Sequence, residues 1–352
     1  MQKKQVAVLG ATGYTGSELL RLMLNHPLAE VVFAGSSSSA GRLLAEVLPQ
    51  FTGVSELVLQ DYGAEDLPAE VELVFCALPH GLSVDVVPSL RKQGLRVIDL
   101  SADFRLREAE LYPRWYEREH PAPELLGEAV YGLTELRRTE LATAGLVANP
   151  GCYPTAVLLA LAPLLKEGLV QTDSIIIDAK SGVTGAGRAP KQPFHFPECN
   201  DSFKAYRVAS HQHTPEIEQE LSALAGLDGE GTGEGLTVTF TPHLIPQSRG
   251  ILSTIYIKLL RDHDLDELYR SFYRDEPFVS FLAPPLLPET RWVKGTNCCH
   301  LAVRQDERTG RVIILAAIDN LVKGAAGQAI QNMNVMFGWP DDTGLRLVGL
   351  VP

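Results

Sequence analysis

The residue with the clearest chemical potential is Cys152, in the segment Asn-Pro-Gly-Cys-Tyr-Pro-Thr at positions 149–155. The apolar residues 146–148 are typical of a short buried strand, and residues 156–161 are typical of a helix. Pro154 suits the first helical position, where a missing N–H costs nothing. Unpaired N–H groups at a helix start stabilise a thiolate, the nucleophilic form of cysteine. We therefore predict a catalytic nucleophile; the alternative is a buried cysteine that packs as a small hydrophobe.

Two histidines, His211 and His213, have the chemistry to move the protons that a cysteine nucleophile requires. They lie just before a predicted helix, with Thr214 as the expected N-cap and Pro215 as the first helical residue. An imidazole titrates near neutral pH, so it suits general acid–base catalysis. A His-x-His pair also occurs in metal sites, but no third histidine or cysteine nearby completes the set. We therefore predict no metal.

A glycine-rich turn at residues 10–16 (Gly-Ala-Thr-Gly-Tyr-Thr-Gly) follows the apolar residues 6–9 and precedes an apolar helix. In this context the glycines permit a tight turn and a close approach of backbone N–H groups to a pyrophosphate. The sequence therefore predicts a dinucleotide site; the alternative is a turn with a structural role only. The residues assigned to this site are Gly10, Thr12, Gly13, Tyr14, Thr15 and Gly16.

The second predicted strand, residues 31–34, lacks the acidic residue that binds the ribose 2′-OH of NAD. Four serines and Arg42 follow instead, with no carboxylate expected near the arginine. Hydroxyls and a guanidinium suit a 2′-phosphate, so we predict that the cofactor is NADP(H) and that Ser36, Ser38 and Arg42 bind it. The alternative is a solvated serine loop.

Two further segments place polar groups after strands. Arg105 follows residues 97–100, and a guanidinium at that place can bind a phosphate through two hydrogen bonds. A surface salt bridge to Asp103 or Glu108 is the alternative. Residues 180–188 are predicted to form a glycine-rich loop that is flexible enough to close over a cofactor or substrate. The residues of this loop assigned to the cofactor site are Ser181 and Gly182.

Composition limits the class of protein. The 352 residues are enough for two domains, and the net charge of −12 comes without a basic stripe, which argues against nucleic acid as a partner. No apolar run approaches the ~20 residues that a membrane span requires. We expect no export signal at the N-terminus, and five cysteines without framework spacing fit a reducing cytoplasm.

The second half of the chain has a different pattern from the first. Residues 236–241 and 251–260 alternate with a period of two and are rich in β-branched side chains, which predicts strands of one mixed sheet. Between the two halves, residues 106–145 are polar and are predicted to form a surface excursion without chemistry.

Together these stretches resemble the N-acetyl-γ-glutamyl-phosphate reductase family, which is related to aspartate-semialdehyde dehydrogenase. One departure is Gln212, because the family usually has Gly-His-Arg-His where this chain has Ser-His-Gln-His. That change weakens any role of position 212 in binding a substrate charge. The matching stretches span nearly the whole chain in the family's order: residues 10–16, 101–105, 149–155, 181–188, 211–218 and 319–334.

The resemblance implies an α/β fold with two domains. An N-terminal Rossmann NADP-binding domain is expected over residues 1–148, completed by the C-terminal residues 319–352. An α+β catalytic and oligomerisation domain with a mixed sheet, like that of glyceraldehyde-3-phosphate dehydrogenase, is expected over residues 149–318. The family's reaction reduces an acyl phosphate through a cysteine thioester with NADPH, releases inorganic phosphate and serves arginine biosynthesis. The resemblance also implies a homodimer or a homotetramer.

The resemblance further implies roles for individual residues. Arg105 and Asn149 are expected to hold the phosphate, and Arg207 the substrate carboxylate. Asn320 is expected to contact the nicotinamide side of the cofactor. His211 is expected to protonate the developing alkoxide, with His213 as the competing candidate.

Other functions remain open at this point. Aspartate-semialdehyde dehydrogenase has the same chemistry, as does the reductase of a carrier-protein-linked 2-aminoadipyl phosphate in lysine biosynthesis. The cysteine turn of the latter lacks the Asn-Pro-Gly-Cys-Tyr-Pro form, which favours the arginine substrate. Different classes are a non-catalytic NADP-binding regulator and a metalloprotein that uses His211, His213 and Cys299.

Overall fold

Near-continuous apolar runs in the first half of the chain fold into one parallel sheet, as the sequence predicts. The computed structural model describes residues 2–63, 66–227 and 235–351. The strands of this sheet are β1 (Lys4–Leu9), β2 (Ala29–Gly35), β3 (Leu59–Gln60), β4 (Val71–Cys76), β5 (Arg96–Asp99), β6 (Ala129–Tyr131) and β7 (Leu146–Ala148). Their order is β3-β2-β1-β4-β5-β7-β6, and all neighbouring pairs are parallel.

Alternating segments of the second half form a mixed sheet. Its strands are β8 (Ile176–Ser181), β9 (Lys204–Ala205), β10 (Thr239–Leu244), β11 (Ile251–Lys258), β12 (Val279–Phe281), β13 (Cys299–Asp306) and β14 (Arg311–Ile318). They lie in the order β12-β13-β14-β11-β8-β10-β9, with β8–β10 and β12–β13 parallel and the other neighbours antiparallel. The strand predicted over residues 236–241 begins three residues later, at Thr239.

Eleven α-helices connect and cover these strands within the described residues. They are α1 (Tyr14–Met23), α2 (Leu44–Val47), α3 (Ser83–Lys92), α4 (Leu111–Tyr116), α5 (Thr134–Leu141), α6 (Cys152–Lys166), α7 (Phe196–Cys199), α8 (His213–Leu224), α9 (Leu265–Phe272), α10 (Thr290–Val293) and α11 (Gly327–Met336). A π-helical turn, Val322–Ala326, leads into α11. None of the helices in the described ranges is long and apolar enough to cross a bilayer.

The chain divides into two units, one around each sheet. The first unit contains Met1–Pro113, Arg118–Pro150 and Ala325–Arg346, so α11 near the C-terminus packs with α1, α5 and β5. The second contains Arg114–Glu117, Gly151–Gly324 and Leu347–Pro352. A parallel-sheet unit and a mixed-sheet unit confirm the predicted fold class.

Residues 106–113 and 118–145 belong to the first unit and contribute to its sheet and core, so the predicted surface excursion is wrong. They contain β6, which pairs with β7 at the edge of the parallel sheet, and buried apolar side chains such as Tyr112 and Leu133. Because β6 has only three residues and polar neighbours, it lacks the apolar run that identifies the other strands.

The second unit buries one face of its sheet. Helices α6 and α8 pack together, and α6 lies against β11 and β14. Along β11 every second side chain is buried, from Ile251 to Ile257, while the alternate residues Leu252, Thr254 and Tyr256 are half-exposed. The alternation follows from the two-residue period of a strand. The mixed sheet therefore carries α6 on its buried face and keeps a partly exposed opposite face.

Candidate active site

The glycine-rich turn before α1 requires glycine at two positions. Gly10 has a φ of +80°, and a Cβ on it would lie 2.3 Å from the carbonyl oxygen of Ala77. A Cβ on Gly16 would lie 2.2 Å from the carbonyl oxygen of Gly10. Gly13 is the N-cap of α1, with extended backbone and without a capping side chain. The main-chain N–H groups at the start of α1 are therefore not covered by a capping side chain. A pyrophosphate can approach them closely. The other loop residues predicted to bind it are Thr12, Tyr14 and Thr15.

The three residues after β2 that are predicted to bind the 2′-phosphate, Ser36, Ser38 and Arg42, differ in exposure, and their contact with a cofactor stays a prediction. Ser36 is buried, and its hydroxyl shares a hydrogen bond of 2.9 Å with Thr12. Ser38 lies exposed in a short 3₁₀ turn, and Arg42 is exposed. The expectation that no carboxylate lies near Arg42 is wrong, because Glu46 is 3.7 Å from its guanidinium. An exposed ion pair of this kind is weak, so Arg42 remains able to exchange Glu46 for a phosphate.

Polar side chains at the end of β5 are closely connected. Asp99 is fully buried, and burial together with the nearby Asp103 raises its pKa to about 6. The Asp103 carboxylate accepts hydrogen bonds from the backbone N–H groups of Gly81 and Val84. Nδ1 of His80 accepts from the backbone N–H of Ala102. These bonds fix the loop after β4 to the loop after β5.

Arg105 and Asn149 form a buried hydrogen-bond network in the first unit. Nε of Arg105 donates to the Asn149 carbonyl oxygen at 2.8 Å, and Nη2 donates to that of Leu100 at 3.0 Å. The Asn149 side chain donates to the Ala325 carbonyl oxygen and accepts from Asn332. The surface salt bridge considered for Arg105 is wrong because its side chain is buried. Both residues brace the segment that precedes Cys152, and their binding of phosphate stays a prediction.

Cys152 is the first residue of α6, which confirms its position on a strand-to-helix turn. Gly151 is the N-cap, with φ −66° and ψ 153°, and no side chain caps the helix. Pro154 occupies the third helical position rather than the first; it is tolerated there because the first four N–H groups lack helical partners. The Gly151 N–H donates to Oε1 of Glu216 at 2.8 Å, and Glu216 is fully buried.

An aromatic cluster joins α6 to the two histidines. The ring of Tyr153 contacts the rings of His211 and His213 edge-on, with centroids 5.6 and 5.9 Å apart. Its hydroxyl lies 3.1 Å from that of Tyr206. Burial raises the pKa of Tyr153 well above its usual value and that of Tyr206 to about 12, so both hydroxyls stay protonated at neutral pH. The fold thus brings both predicted histidines against the neighbour of Cys152.

The local geometry of His211 fixes its tautomer. Its Nδ1 accepts a hydrogen bond of 3.0 Å from the backbone N–H of His213, so the neutral ring carries its proton on Nε2. Burial, followed by the positive charge of Arg207, lowers the pKa of His211 to about 3. His211 is therefore a neutral imidazole with an Nε2–H donor at neutral pH.

Helix α8 begins earlier than predicted. Its first residue is His213 and its N-cap is Gln212, so Thr214 is the second residue and Pro215 the third. His213 thus stands on the helix itself rather than on the preceding loop.

Arg207 is exposed beside this cluster in an uncommon backbone conformation. Its φ is +47°, and its Nη1 donates to Oε1 of Gln212 at 2.7 Å. Gln212, at the position where the resemblance implies an arginine, therefore holds a neighbouring arginine. The cation is placed close enough to His211 to affect its titration.

The loop after β8 is held by Asn320. The Asn320 side chain accepts from the Gly250 N–H at 2.8 Å and donates to Oγ1 of Thr184 at 3.0 Å. Ser181 is buried, and its hydroxyl donates to the carbonyl oxygen of Gly182. Position 182 has no room for a side chain, because a Cβ on Gly182 would lie 2.8 Å from the Gln247 carbonyl oxygen. The three predicted cofactor residues Ser181, Gly182 and Asn320 therefore share one network, and their contact with a cofactor stays a prediction.

Sequence reasoning missed several residues of the two units. Tyr206 and Phe240 pack on Tyr153 and His211, Glu216 binds the N-cap of α6, and Tyr62 covers Gly35 at the end of β2. Each contacts at least one of these residues from a distant part of the chain, so no local sequence pattern indicated the contact. Among residues 2–63, 66–227 and 235–351 no three His, Cys, Asp or Glu side chains are arranged to hold a metal ion.

Comparison with known proteins gives a consistent set of relatives. The family model described as "Semialdehyde dehydrogenase, NAD binding domain" matches residues 5–144, and "Semialdehyde dehydrogenase, dimerisation domain" matches residues 152–320. The N-acetyl-gamma-glutamyl-phosphate reductase of Pelotomaculum thermopropionicum is 51% identical over 351 residues, 99% of both chains. That of Geotalea daltonii is 52% identical over 352 residues, again 99% of both chains.

Solved structures of the same fold are more distant in sequence. Aspartate semialdehyde dehydrogenase II from Vibrio cholerae matches with a TM-score of 0.72 and 17% identity, over 96% of this chain and 99% of that one. The aspartate semialdehyde dehydrogenase with NADP from Candida albicans matches with a TM-score of 0.69, 18% identity and the same two coverages. These similarities concern the fold alone.

Proposed function

The chain belongs to the N-acetyl-γ-glutamyl-phosphate reductase family, and we propose that Cys152 carries the acyl group through its reaction. The activity is NADPH-dependent reduction of N-acetyl-L-glutamyl 5-phosphate to N-acetyl-L-glutamate 5-semialdehyde and phosphate, in arginine biosynthesis. The observation that supports the assignment of Cys152 is its place as the first residue of α6, behind an N-cap without a side chain. The helix start stabilises the thiolate that this chemistry requires.

In the proposed reaction the Cys152 sulfur attacks the acyl carbon. The C–S bond forms, the bond from carbon to the phosphate oxygen breaks, and inorganic phosphate leaves. A thioester accepts hydride more readily than a carboxylate, because its carbonyl is less stabilised by resonance. After reduction the alkoxide collapses, the C–S bond breaks, and the semialdehyde leaves with Cys152 returned to the thiolate.

The cofactor is NADP(H), and when bound it supplies the hydride. We propose that the N–H groups of residues 10–16 bind its pyrophosphate and that Ser38 and Arg42 bind the 2′-phosphate. Support comes from the glycine-only geometry of Gly10 and Gly16 and from the exposure of Arg42. Ser36 holds Thr12 in place rather than facing outwards.

We propose that the two histidines have different roles. His211 is neutral and carries its proton on Nε2, so it suits a hydrogen-bond donor to the oxygen that becomes negative at the acyl carbon. His213 begins α8 and takes the proton-transfer role, including deprotonation of the Cys152 thiol. The sequence resemblance instead implies the acid–base role for His211.

Binding of the substrate's charges is proposed for three further residues. Arg207 is an exposed cation beside the histidines and suits the substrate carboxylate. Arg105 and Asn149 already bind each other and backbone carbonyl oxygens, so we propose that they act mainly by bracing residues 149–150, before Cys152.

The test is phosphate-dependent reduction of NADP by N-acetylglutamate semialdehyde, with aspartate semialdehyde run beside it. Cys152→Ser should abolish turnover, by ~10⁴-fold or more, and leave NADPH affinity unchanged. Retained turnover contradicts the nucleophile. Faster turnover of aspartate semialdehyde than of the acetylated substrate contradicts the substrate assignment.

We further propose that the protein is a cytoplasmic homo-oligomer whose subunits meet at the open face of the mixed sheet. Half-exposed apolar side chains in register across this face, such as Ile176, Tyr256 and Ile313, support a contact with a second copy. The match of residues 152–320 to a dimerisation domain agrees with it. Cysteines in free form suit a reducing compartment.

A charged side chain on the open face of the mixed sheet should separate the subunits. Light scattering of the wild type should give at least twice the chain mass of 38.4 kDa, and Ile313→Arg should lower it towards one chain. Val54→Arg, at an exposed apolar residue of the first unit, serves as the matched control and should leave the mass unchanged. A monomeric wild type contradicts the proposal.

A further inference from the structure

Gly324 lies directly behind the proposed nucleophile. A Cβ placed on Gly324 would lie 2.7 Å from Cβ of Cys152, 3.1 Å from its Cα and 3.3 Å from Cδ1 of Ile318. Cβ and Cα are fixed to the backbone, so rotation of the Cys152 side chain cannot relieve such a contact. A residue larger than glycine at 324 therefore requires a shift of one of the two backbones.

Helix α6 cannot shift easily. Its residues from Tyr153 to Leu165 are all buried, and it packs against α8, β11 and β14. The hydroxyls of Tyr269 and Tyr273 donate to the carbonyl oxygens of Ala160 and Leu159 on the same helix. Closely packed interiors transmit a displacement rather than absorb it.

The segment that carries Gly324 is held equally firmly. The Gly324 N–H donates to the carbonyl oxygen of Asp319 at 3.0 Å. The Asp319 carboxylate is fully buried and accepts from the N–H groups of Leu321, Val322 and Gly295. The turn Val322–Ala326 is π-helical, a rare geometry that occurs mostly at functional sites.

We infer that Gly324 is a positioning residue for Cys152: the absence of a side chain at 324 sets where the Cys152 sulfur stands at the start of α6. The consequence for catalysis rests on the proposed role of Cys152 as the nucleophile. The steric contact itself does not, so the two can be tested separately.

A double-mutant cycle on thermal stability tests the contact without any activity. Gly324→Ala should lower Tm by about 4 °C or more, because two backbones are forced apart. In a Cys152→Gly background the Cβ that causes the conflict is gone, so the same change should cost less than half as much. Equal losses in both backgrounds overturn the inference. If Gly324→Ala alone does not fold, folding of the double variant supports the inference, and its failure beside a folded Cys152→Gly overturns it.

A second experiment measures the position of the sulfur. In Gly324→Ala, kcat should fall ~100-fold while NADPH affinity stays within about twofold, because a displacement near 1 Å has effects of this size. The rate of Cys152 alkylation by iodoacetamide should change by at least about tenfold against Cys298, a second half-buried thiol in the same chain. An unchanged kcat and alkylation rate overturn the inference.

The matched control is Gly310→Ala in the turn between β13 and β14. Gly310 has a φ of +66° and no atom within 4 Å of its Cβ position, so alanine there strains the same unit without touching Cys152. It should lower Tm with kcat within about twofold of wild type. Equal losses of kcat in both glycine variants overturn the positioning role. Full turnover of Cys152→Ser overturns the proposed nucleophile and leaves the Tm cycle intact.

Discussion

Two helices of this protein begin in the same way and serve different chemistry. Both α1 and α6 follow a strand of the parallel sheet, and both have a glycine N-cap in extended backbone, Gly13 and Gly151, without a capping side chain. Neither has an acidic residue in its first turn. Each therefore presents bare N–H groups and the positive end of a helix dipole.

The difference lies in what surrounds the two helix starts. At α1 the surroundings are main chain: Gly10 and Gly16 pack against backbone atoms of the turn and of residue 77. At α6 they are residues from distant segments: the Glu216 side chain on the N-cap and the backbone of Gly324 next to Cys152. The helix start proposed to bind the cofactor is thus shaped mainly by the glycines of its own turn, and the one proposed to hold the nucleophile is assembled by the tertiary fold.

Among the tests of this contrast, the largest effect is expected from Gly10→Ala, which changes the glycine turn before α1. The positive φ and the conflict with the Ala77 carbonyl should weaken NADPH binding ~100-fold or more, about 2.7 kcal/mol, as measured by fluorescence titration. Cys152 alkylation should be unaffected. Gly53→Ala, at a φ of +75° with open space around it, is the control and should bind NADPH normally. Normal binding by Gly10→Ala would refute the glycine requirement.

Glu216→Ala removes the tertiary hydrogen bond to the N-cap of α6. The buried Gly151 N–H loses its acceptor, so the free energy of unfolding should fall by about 1–3 kcal/mol in urea denaturation, with NADPH affinity unchanged. Glu216→Gln keeps an acceptor oxygen and should lose less. Glu267→Ala, an exposed glutamate in the first turn of α9, should change stability by less than about 0.5 kcal/mol. Equal losses at Glu216 and Glu267 would speak against a special role for the N-cap contact.

Gln212→Ala tests whether the exposed Arg207 is held for the substrate. Loss of the 2.7 Å bond should raise KM for the acyl phosphate by ~3–10-fold, up to about 1.4 kcal/mol, with kcat within about twofold. Gln212→Glu should raise KM further because it neutralises the cation. An alanine at the exposed Gln305 is the control. An unchanged KM in both Gln212 variants would remove Arg207 from the substrate site.

A further effect concerns acid stability. The unfolded chain binds a proton at His211 near pH 6.5, whereas the folded chain does so only near pH 3, so this residue lowers stability as the pH falls between those values. His211→Asn should therefore make the fall in unfolding free energy shallower by about 1 kcal/mol per pH unit between pH 4 and 6. The slope above pH 7 should not change. An unaltered acid slope would contradict the neutral, buried imidazole.

The contrast between the two helix starts also explains what the sequence could reveal. The glycine turn was predictable because its geometry depends on adjacent residues and on a strand and helix on either side. The same signals predicted the Cys152 turn. The helix, however, begins at Cys152 rather than at Pro154, two residues earlier than predicted, because its start is set by Gly151 and its partner Glu216.

Other parts of the site could not be predicted for the same physical reason. Tyr206, Phe240 and Gly324 reach Tyr153 or Cys152 from other elements of the second unit, and nothing in their own neighbourhoods indicates a contact. The carboxylate beside Arg42 was missed because a pair four residues apart forms only once α2 has formed. The strand β6 was missed because three residues show no period.

The most direct test of the central claim is detection of the acyl-enzyme. The protein is mixed with N-acetylglutamate semialdehyde and NADP without phosphate, quenched in acid, and its peptides are weighed by mass spectrometry. We predict a burst of NADPH close to one equivalent per chain and an N-acetylglutamyl adduct on the peptide that contains Cys152. Turnover with phosphate in the absence of any adduct, or an adduct on another cysteine, would contradict the role of Cys152 as the nucleophile.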